Sequence, residues 1–362
     1  MEKRAYFNRE VTNAVKGIAL IFMFIHHFFT FPNAYVEGIS YPSLRPFAAF
    51  FRQPFKMCVP VFAFLTGYLY FFCKTKTLRY SARKATDVLV NYQIVYLLFL
   101  ALSLVLDLHT LSPKSFALEF FSLRTTIMNF CWYVSFYILS MLLLPVLAAL
   151  PSGGVIRSIL IWILLPYACF TGLLYFIENT TARGILANLS VYFPCIAIGY
   201  ICARYSVFEK ISTLIAARLQ SKSLRVVLWL LLAVASFLAR HFIKPVALEH
   251  LPIVGSIPAT PVGTDILLAP VFILSVVNLI LSFPWNPCFA LLAKIGKHSM
   301  SMWFLHCLFF SGVTKGVFQP FLYLPRNPLL VLIWGTGLCL LAAMMLDKPT
   351  RRILALKNKL FS

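Results

Sequence analysis

Ten apolar runs recur along the chain, at roughly 12–34, 56–73, 88–108, 130–150, 155–177, 185–203, 225–243, 263–282, 299–314 and 328–346. With some extension into the interfaces, each is long enough to cross about 30 Å of hydrocarbon, the runs at 56–73 and 299–314 being the shortest. Lipid is the environment that fits them. The chain is 60% hydrophobic and only 12% charged, with 35 Phe and 16 Tyr. Too little polar material remains to coat a water-facing surface around a core of that size. The expected fold is therefore an all-α, polytopic membrane helical bundle of about ten transmembrane helices. The first run is long and lacks a small-residue cleavage pattern, so it is expected to be retained.

The basic residues orient such a bundle. With the amino terminus inside, Lys74, Lys76, Arg79, Arg83 and Lys84 fall together on an inner segment, as do Arg204, Lys210, Arg218, Lys222 and Arg225. Lys348, Arg351, Arg352, Lys357 and Lys359 join them at the other end of the chain. The remaining segments are sparser in Lys and Arg, which favours both termini in the cytoplasm. Placement of the charges, not their net value of +21, is then what matters, and no nucleic-acid partner is expected. The three outer loops, 35–55, 109–129 and 244–262, are rich enough in Pro, Gly and aromatics to act as caps or as ordinary connectors. Nine cysteines are scattered without a CxxC pair. They read as small apolar packing groups rather than a zinc site or a disulfide framework, and no metal is expected.

Against this apolar background, KGIALIFMFIHHFFTF (residues 16–31) ends its greasy run on two histidines. From Lys16 to His27 the helical rise is about 16 Å, which sets the lysine at the inner interface and the imidazole deep in the membrane. A lysine there can snorkel to water, whereas a histidine cannot. Polar groups at such depth are costly unless paired or hydrated, which makes His27 a functional candidate. Adjacent residues point about 100° apart on a helix, so His26 and His27 cannot both face one narrow cavity. One can line an internal site while the other satisfies a backbone group or meets a neighbouring helix. Packing through hydrogen bonds is the plain alternative for both. A neutral imidazole can also take a proton from an alcohol near neutral pH and return it later. No GxSxG, HExxH or Walker A pattern offers a different chemistry.

Five segments, in order and with the right spacing, resemble the membrane-bound acyltransferase 3 family. Its first span has a basic residue, then Gly or Ala, with a histidine eleven positions after the basic residue; here these fall on Lys16, Gly17 and His27. VPVFAFLTGYLY (59–70) resembles the family's PxFFxxSGYL segment, with Thr66 where Ser is common. RKATDVLVNYQIVY (83–96) resembles its basic entrance to the next span, with Asn91 where many members have Pro. CWYVSFYILSMLLLP (131–145) resembles the WYL…Y…P helix, and IGKHSMSMWFLH (295–306) the lGxxSyxiYLxH signature ending on His306. Lys16 stands where Arg is more frequent, keeping the charge without the planar fork, and Asn13 stands where Asp often precedes it. The resemblance covers nearly the whole chain, so residues 1–362 read as a single transmembrane domain of this kind with no separate soluble domain.

The resemblance implies transfer of an acyl group, most simply acetyl, from acetyl-CoA or another acyl-CoA to a hydroxyl of a cell-surface polysaccharide or lipid-linked saccharide. It implies His27 as the transfer histidine, with His26 in support. His306 is a further deep histidine, open to either an active-site or a hydrogen-bonding role. Lys16, Arg83 and Lys84 become candidates for the donor phosphates, although Arg83 and Lys84 are equally placed to fix topology. Trp132 and Tyr133 can stack on a sugar or belong to an interfacial aromatic belt. Asp107, Glu119, Glu178 and Asp265 read as solvated acids of the outer loops. The expected partners are membrane lipids, the glycan acceptor and proteins of glycan synthesis, in a bacterial cytoplasmic membrane, the oligomeric state being open. A transporter of a glycan precursor or small metabolite is the alternative, since deep histidines suit it too.

Overall fold

The computed structural model describes residues 6–30, 44–107, 112–151, 153–249, 262–284 and 286–360. The loop stretches 35–43, 109–111 and 250–261, expected as caps or connectors, lie outside the described residues. In chain order the helices are α1 (Arg9–Phe29), α2 (Arg45–Phe55), α3 (Cys58–Phe71), α4 (Leu78–Val105), α5 (Pro113–Phe120), α6 (Tyr133–Ala149), α7 (Val155–Ile159), α8 (Leu165–Leu174), α9 (Thr180–Arg204), α10 (Val207–Arg218), α11 (Lys222–Glu249), α12 (Val262–Ser282), α13 (Pro287–Lys297), α14 (Ser299–His306), α15 (Lys315–Leu322) and α16 (Pro328–Leu360). No strand occurs among the described residues. Nine of the expected spans are helices long and apolar enough to cross a membrane among those residues. The run at 299–314 is shorter, an apolar helix over Ser299–Phe309 that tightens into a 3-10 turn after His306.

The chain forms two compact units that interleave in sequence, residues 1–26, 47–74 and 150–297 in the first and 27–46, 75–149 and 298–362 in the second. In the first unit, α3 and α9 approach closely because glycines face backbone. A Cβ on Gly67 would lie 1.8 Å from the Ile196 carbonyl oxygen, and one on Gly199 would lie 2.2 Å from that of Phe64. A second such crossing joins α1 to α13: a Cβ on Gly17 would meet the Leu292 oxygen at 2.0 Å, and one on Gly296 the Asn13 oxygen at 1.8 Å. Small residues let helices in lipid come close enough for dispersion to hold them, where no hydrophobic driving force separates side chain from solvent. Gly17, Gly67 and Gly296 all sit in the segments quoted above for the family resemblance.

Pro166 shapes the span between α7 and α8. It has no N–H, and its ring would strike the carbonyl four residues back in a regular α-helix. The chain widens there to one π turn over Leu160–Leu164, with the Leu165 N–H donating to the Leu160 carbonyl. Trp162 in that turn is buried and stacks on Tyr200 of α9 at 3.8 Å between ring centroids.

The second unit is built on α4, α6, α14 and α16. Tyr92, Val95, Tyr96 and Phe99 of α4 pack with Ile127, Met128, Cys131 and Val134 and with Phe304 and Cys307 in one buried cluster. Glu119 of α5 is buried, not solvated: its carboxylate accepts from the N–H groups of Thr126 at 2.7 Å and Ile127 at 3.2 Å. Those bonds satisfy the charge and fix the turn that leads into residues 129–131.

Candidate active site

His306 closes α14, and its ring is set by its own helix. Nδ1 is hydrogen-bonded to the carbonyl of Trp303, and Nε2 lies 2.7 Å from Nδ1 of His27. A carbonyl can only accept, so the His306 Nδ1 carries the proton and its Nε2, in the neutral ring, carries the lone pair. His27 Nδ1–H must then donate, which leaves the lone pair of a neutral His27 on Nε2. The network thus defines one ordered relay, from His27 through His306 to the Trp303 carbonyl. Both rings are buried and nearly parallel, with an interplanar angle of 12°.

Phe130 completes the setting. Its ring stacks on His27 at 4.0 Å between centroids and 19° between planes, and its carbonyl accepts from Trp303 Nε1 at 3.2 Å. Asn129 Nδ2 donates to the Phe310 carbonyl at 3.5 Å. Side chain and backbone of residues 129–130 are therefore tied to the end of α14 and the turn after it. Trp132 and Tyr133 follow directly and are partly buried, and Tyr133 meets Trp303 edge-on at 5.6 Å. They stand beside the histidine pair through Trp303, whereas Phe130 stacks directly on His27. Nothing in the sequence singled out Phe130 among so many phenylalanines. Its only signal was its place just before the quoted 131–145 segment.

The basic candidates are distributed differently. Arg83 and Lys84 lie in the first turns of α4, which Thr77 caps through the Tyr80 N–H at 3.3 Å. Lys84 is 3.4 Å from Asp87, and Asp87 also pairs with Lys357 of α16. Asn358 accepts from Arg83 Nε at 3.0 Å, and the guanidinium is exposed. Arg83 and Lys84 thus sit together at one end of the second unit. Lys16 and His26 belong to the first unit. Lys16 is partly buried in α1 and makes no hydrogen bond or ion pair among the described residues. The buried His26 hydrogen-bonds the backbone of Arg52 in α2.

Asp265 is also not a solvated loop acid. It is buried against Arg240 of α11, with Nε 2.7 Å from Oδ1 and a terminal nitrogen 3.0 Å from Oδ2. The other terminal nitrogen of Arg240 donates to the Gln53 carbonyl, which links α11 and α12 to α2. Sequence reading missed this pair because hydropathy windows tolerate isolated charges near the end of a span. Among the described residues no group of His, Cys, Asp and Glu side chains could hold a metal ion.

The long apolar helices define an integral membrane protein, and within its second unit His27 of α1 and His306 of the shorter α14 form a buried pair. The chain belongs to the acyltransferase 3 family, whose acyltransferase-domain model matches residues 12–348. No curated protein and no solved structure matches it significantly. It is therefore a membrane-embedded acyltransferase, which implies an acyl donor and an acceptor substrate.

Proposed function

We propose that this chain is a membrane O-acyltransferase that moves an acetyl group from acetyl-CoA, or a related acyl group from its CoA thioester, to a hydroxyl of a surface polysaccharide or lipid-linked saccharide. The observation that carries this reading is the His27–His306–Trp303 relay. It leaves the His27 Nε2 lone pair as the base and gives its other nitrogen a fixed acceptor. Nε2 takes the acceptor's hydroxyl proton as the oxygen attacks the thioester carbonyl. The C–S bond then breaks, and the proton passes from Nε2 to the departing thiolate, giving free CoA and the O-acyl ester. His306 accepts from the Nδ1–H throughout and stabilises the imidazolium, the role a carboxylate fills in better-known triads. In a two-step variant the same Nε2 receives the acyl group first and hands it to the hydroxyl.

Lys16, Arg83 and Lys84 are the proposed donor-phosphate contacts, because dense anionic charge is best matched by strong cationic donors. Trp132 and Tyr133 are the proposed sugar-facing aromatics, and His26 acts in support. We place the protein in a bacterial cytoplasmic membrane as a single transmembrane domain with both termini inside, beside proteins of glycan synthesis. The test is transfer of isotope-labelled acetyl from acetyl-CoA to extracted surface glycans by purified protein in lipid vesicles. Label is expected in the glycan with the wild type and at background with His27→Ala. Substrate flux without thioester loss would instead establish transport.

A further inference from the structure

Each histidine of the relay sits in the last turn of its helix, where the closing carbonyls lack an intrahelical donor. The Phe28 carbonyl, one residue after His27, would be reached in a continuing helix by the N–H of residue 32, but Pro32 has none. The Tyr323 hydroxyl supplies the donor instead, at 2.5 Å. The Phe309 carbonyl, three residues after His306, is served in the same way. The Val313 N–H four residues on is held by the Ser311 hydroxyl at 3.2 Å, and Gln319 Nε2 donates to the Phe309 oxygen at 3.3 Å.

Both donors come from one short helix. Gln319 and Tyr323 are four residues apart, so they lie on one face of α15 and its end. The Tyr323 N–H donates to the Gln319 carbonyl at 3.1 Å, which fixes the spacing of the two side chains. Between them, Phe321 is fastened to α16: its carbonyl accepts from Trp334 Nε1 at 3.1 Å, and the two rings meet edge-on at 5.4 Å between centroids. Gln319 and Tyr323 are buried, where an amide or a hydroxyl is costly unless it is hydrogen-bonded. Packing alone would be served as well by Leu and Phe. All of these residues belong to the second unit, as do His27 and His306.

We propose that α15 is a clamp on the relay, with Tyr323 and Gln319 as positioning residues that hold the backbone after His27 and the backbone after His306 at a fixed separation. The clamp stands on the hydrogen bonds; only its effect on the reaction rests on the acyltransferase reading. The ring-to-ring bond it maintains is 2.7 Å long and joins two different helices, so it tolerates little relative movement. A misplacement of about 1 Å at a reacting group is enough to lower a rate by about 100-fold.

The experiment compares full-length wild type, Tyr323→Phe and Gln319→Leu in lipid nanodiscs, each also in a His306→Phe background. Initial rates are taken with labelled acetyl-CoA and extracted surface glycans. Each single variant should lower kcat about 10-fold and change the KM for donor less than about twofold. In the His306→Phe background, where the ring-to-ring bond is already gone, each should lower kcat by less than about twofold further. A second readout needs no turnover: the ¹⁵N spectrum of histidine-labelled protein, in which the His27–His306 bond is assigned by its loss in His306→Phe. That signature should weaken in both Tyr323→Phe and Gln319→Leu. If it does so while the wild type transfers no acyl group, the clamp stands and the acyltransferase reading fails. The proposal falls if the signature is unchanged in both variants, or if their kcat losses are the same in the two backgrounds. It also falls if the variants unfold at lower temperature while kcat per folded protein stays at the wild-type value, which would make both bonds structural alone.

Discussion

A carbonyl oxygen cannot donate a proton, and that rule orients both rings of the His27–His306 pair. In the proposed mechanism His306 is then a positioning residue, whose loss should lower kcat more than it changes the KM for donor. Gln at 306 can still accept from the His27 Nδ1–H, whereas Phe keeps bulk but accepts nothing. We expect His306→Gln to lower kcat about 10-fold and His306→Phe about 100-fold or more, each tenfold being about 1.4 kcal/mol in the barrier. Equal losses in the two variants, measured by initial rates with labelled acyl-CoA, would mean that His306 serves packing alone. Phe130→Leu removes the stack on His27, a contact of about 0.5–1.5 kcal/mol, so kcat should fall about 2- to 10-fold with the fold intact. Both histidines were legible in the sequence as polar groups at depth. Their partnership was not, because it joins residues 279 positions apart, and hydropathy carries no information on which face meets which. Phe130 was hidden for the same reason: the chemistry of a phenylalanine in lipid is the same wherever it points.

At the scale of the helices, the glycines divide into those that face backbone and those that face open space. Gly17 and Gly296 at the α1–α13 crossing leave no room for a methyl group, while Gly172 in α8 and Gly337 in α16 have nothing within 4 Å of a would-be Cβ. Gly17→Ala and Gly296→Ala must push backbones apart and should cost about 1–3 kcal/mol. Gly172→Ala and Gly337→Ala should be neutral or stabilise by up to about 1 kcal/mol through helix propensity. Thermal unfolding of detergent-purified protein separates the two groups, and a uniform response would refute the close crossing. The pairing of α11 with α12 makes a second claim. Asp265→Asn leaves the buried Arg240 without its counter-charge and should destabilise by about 3–5 kcal/mol. The double change Arg240→Met with Asp265→Leu, which removes both charges, should recover much of that loss. The spans themselves were legible because each is a continuous apolar run. Their crossings and the Arg240–Asp265 pair were not: a lone charge or glycine looks alike in sequence whether it faces lipid, water or another helix.

For the whole molecule, hydropathy and the ordered family segments settle class and membership, yet neither marks the division into two units. The chain passes between them at 26/27, 46/47, 74/75, 149/150 and 297/298, and one passage falls inside α1 between its two histidines. No change of composition accompanies those points, so only contacts reveal them. The membrane orientation, by contrast, is a question the charges alone can pose. Lysines and arginines cluster in the segments assigned to the cytoplasm, and crossing the bilayer with such a cluster is opposed during insertion. Cys288, at the start of α13 and ahead of Lys294 and Lys297, falls on a further segment that the proposed orientation puts inside, and it is exposed, as is Cys169, which lies in the apolar span ending at Leu174. A membrane-impermeant maleimide applied to intact cells should leave Cys288 unlabelled and should label it after the cytoplasmic side is opened, the signal disappearing in Cys288→Ser. Cys169 should resist in both conditions, because lipid shields it and thiol alkylation in water requires the thiolate. Labelling of Cys288 from outside would invert the whole assignment, placing Arg83, Lys84 and the carboxy-terminal basic residues on the side where no acyl-CoA is made.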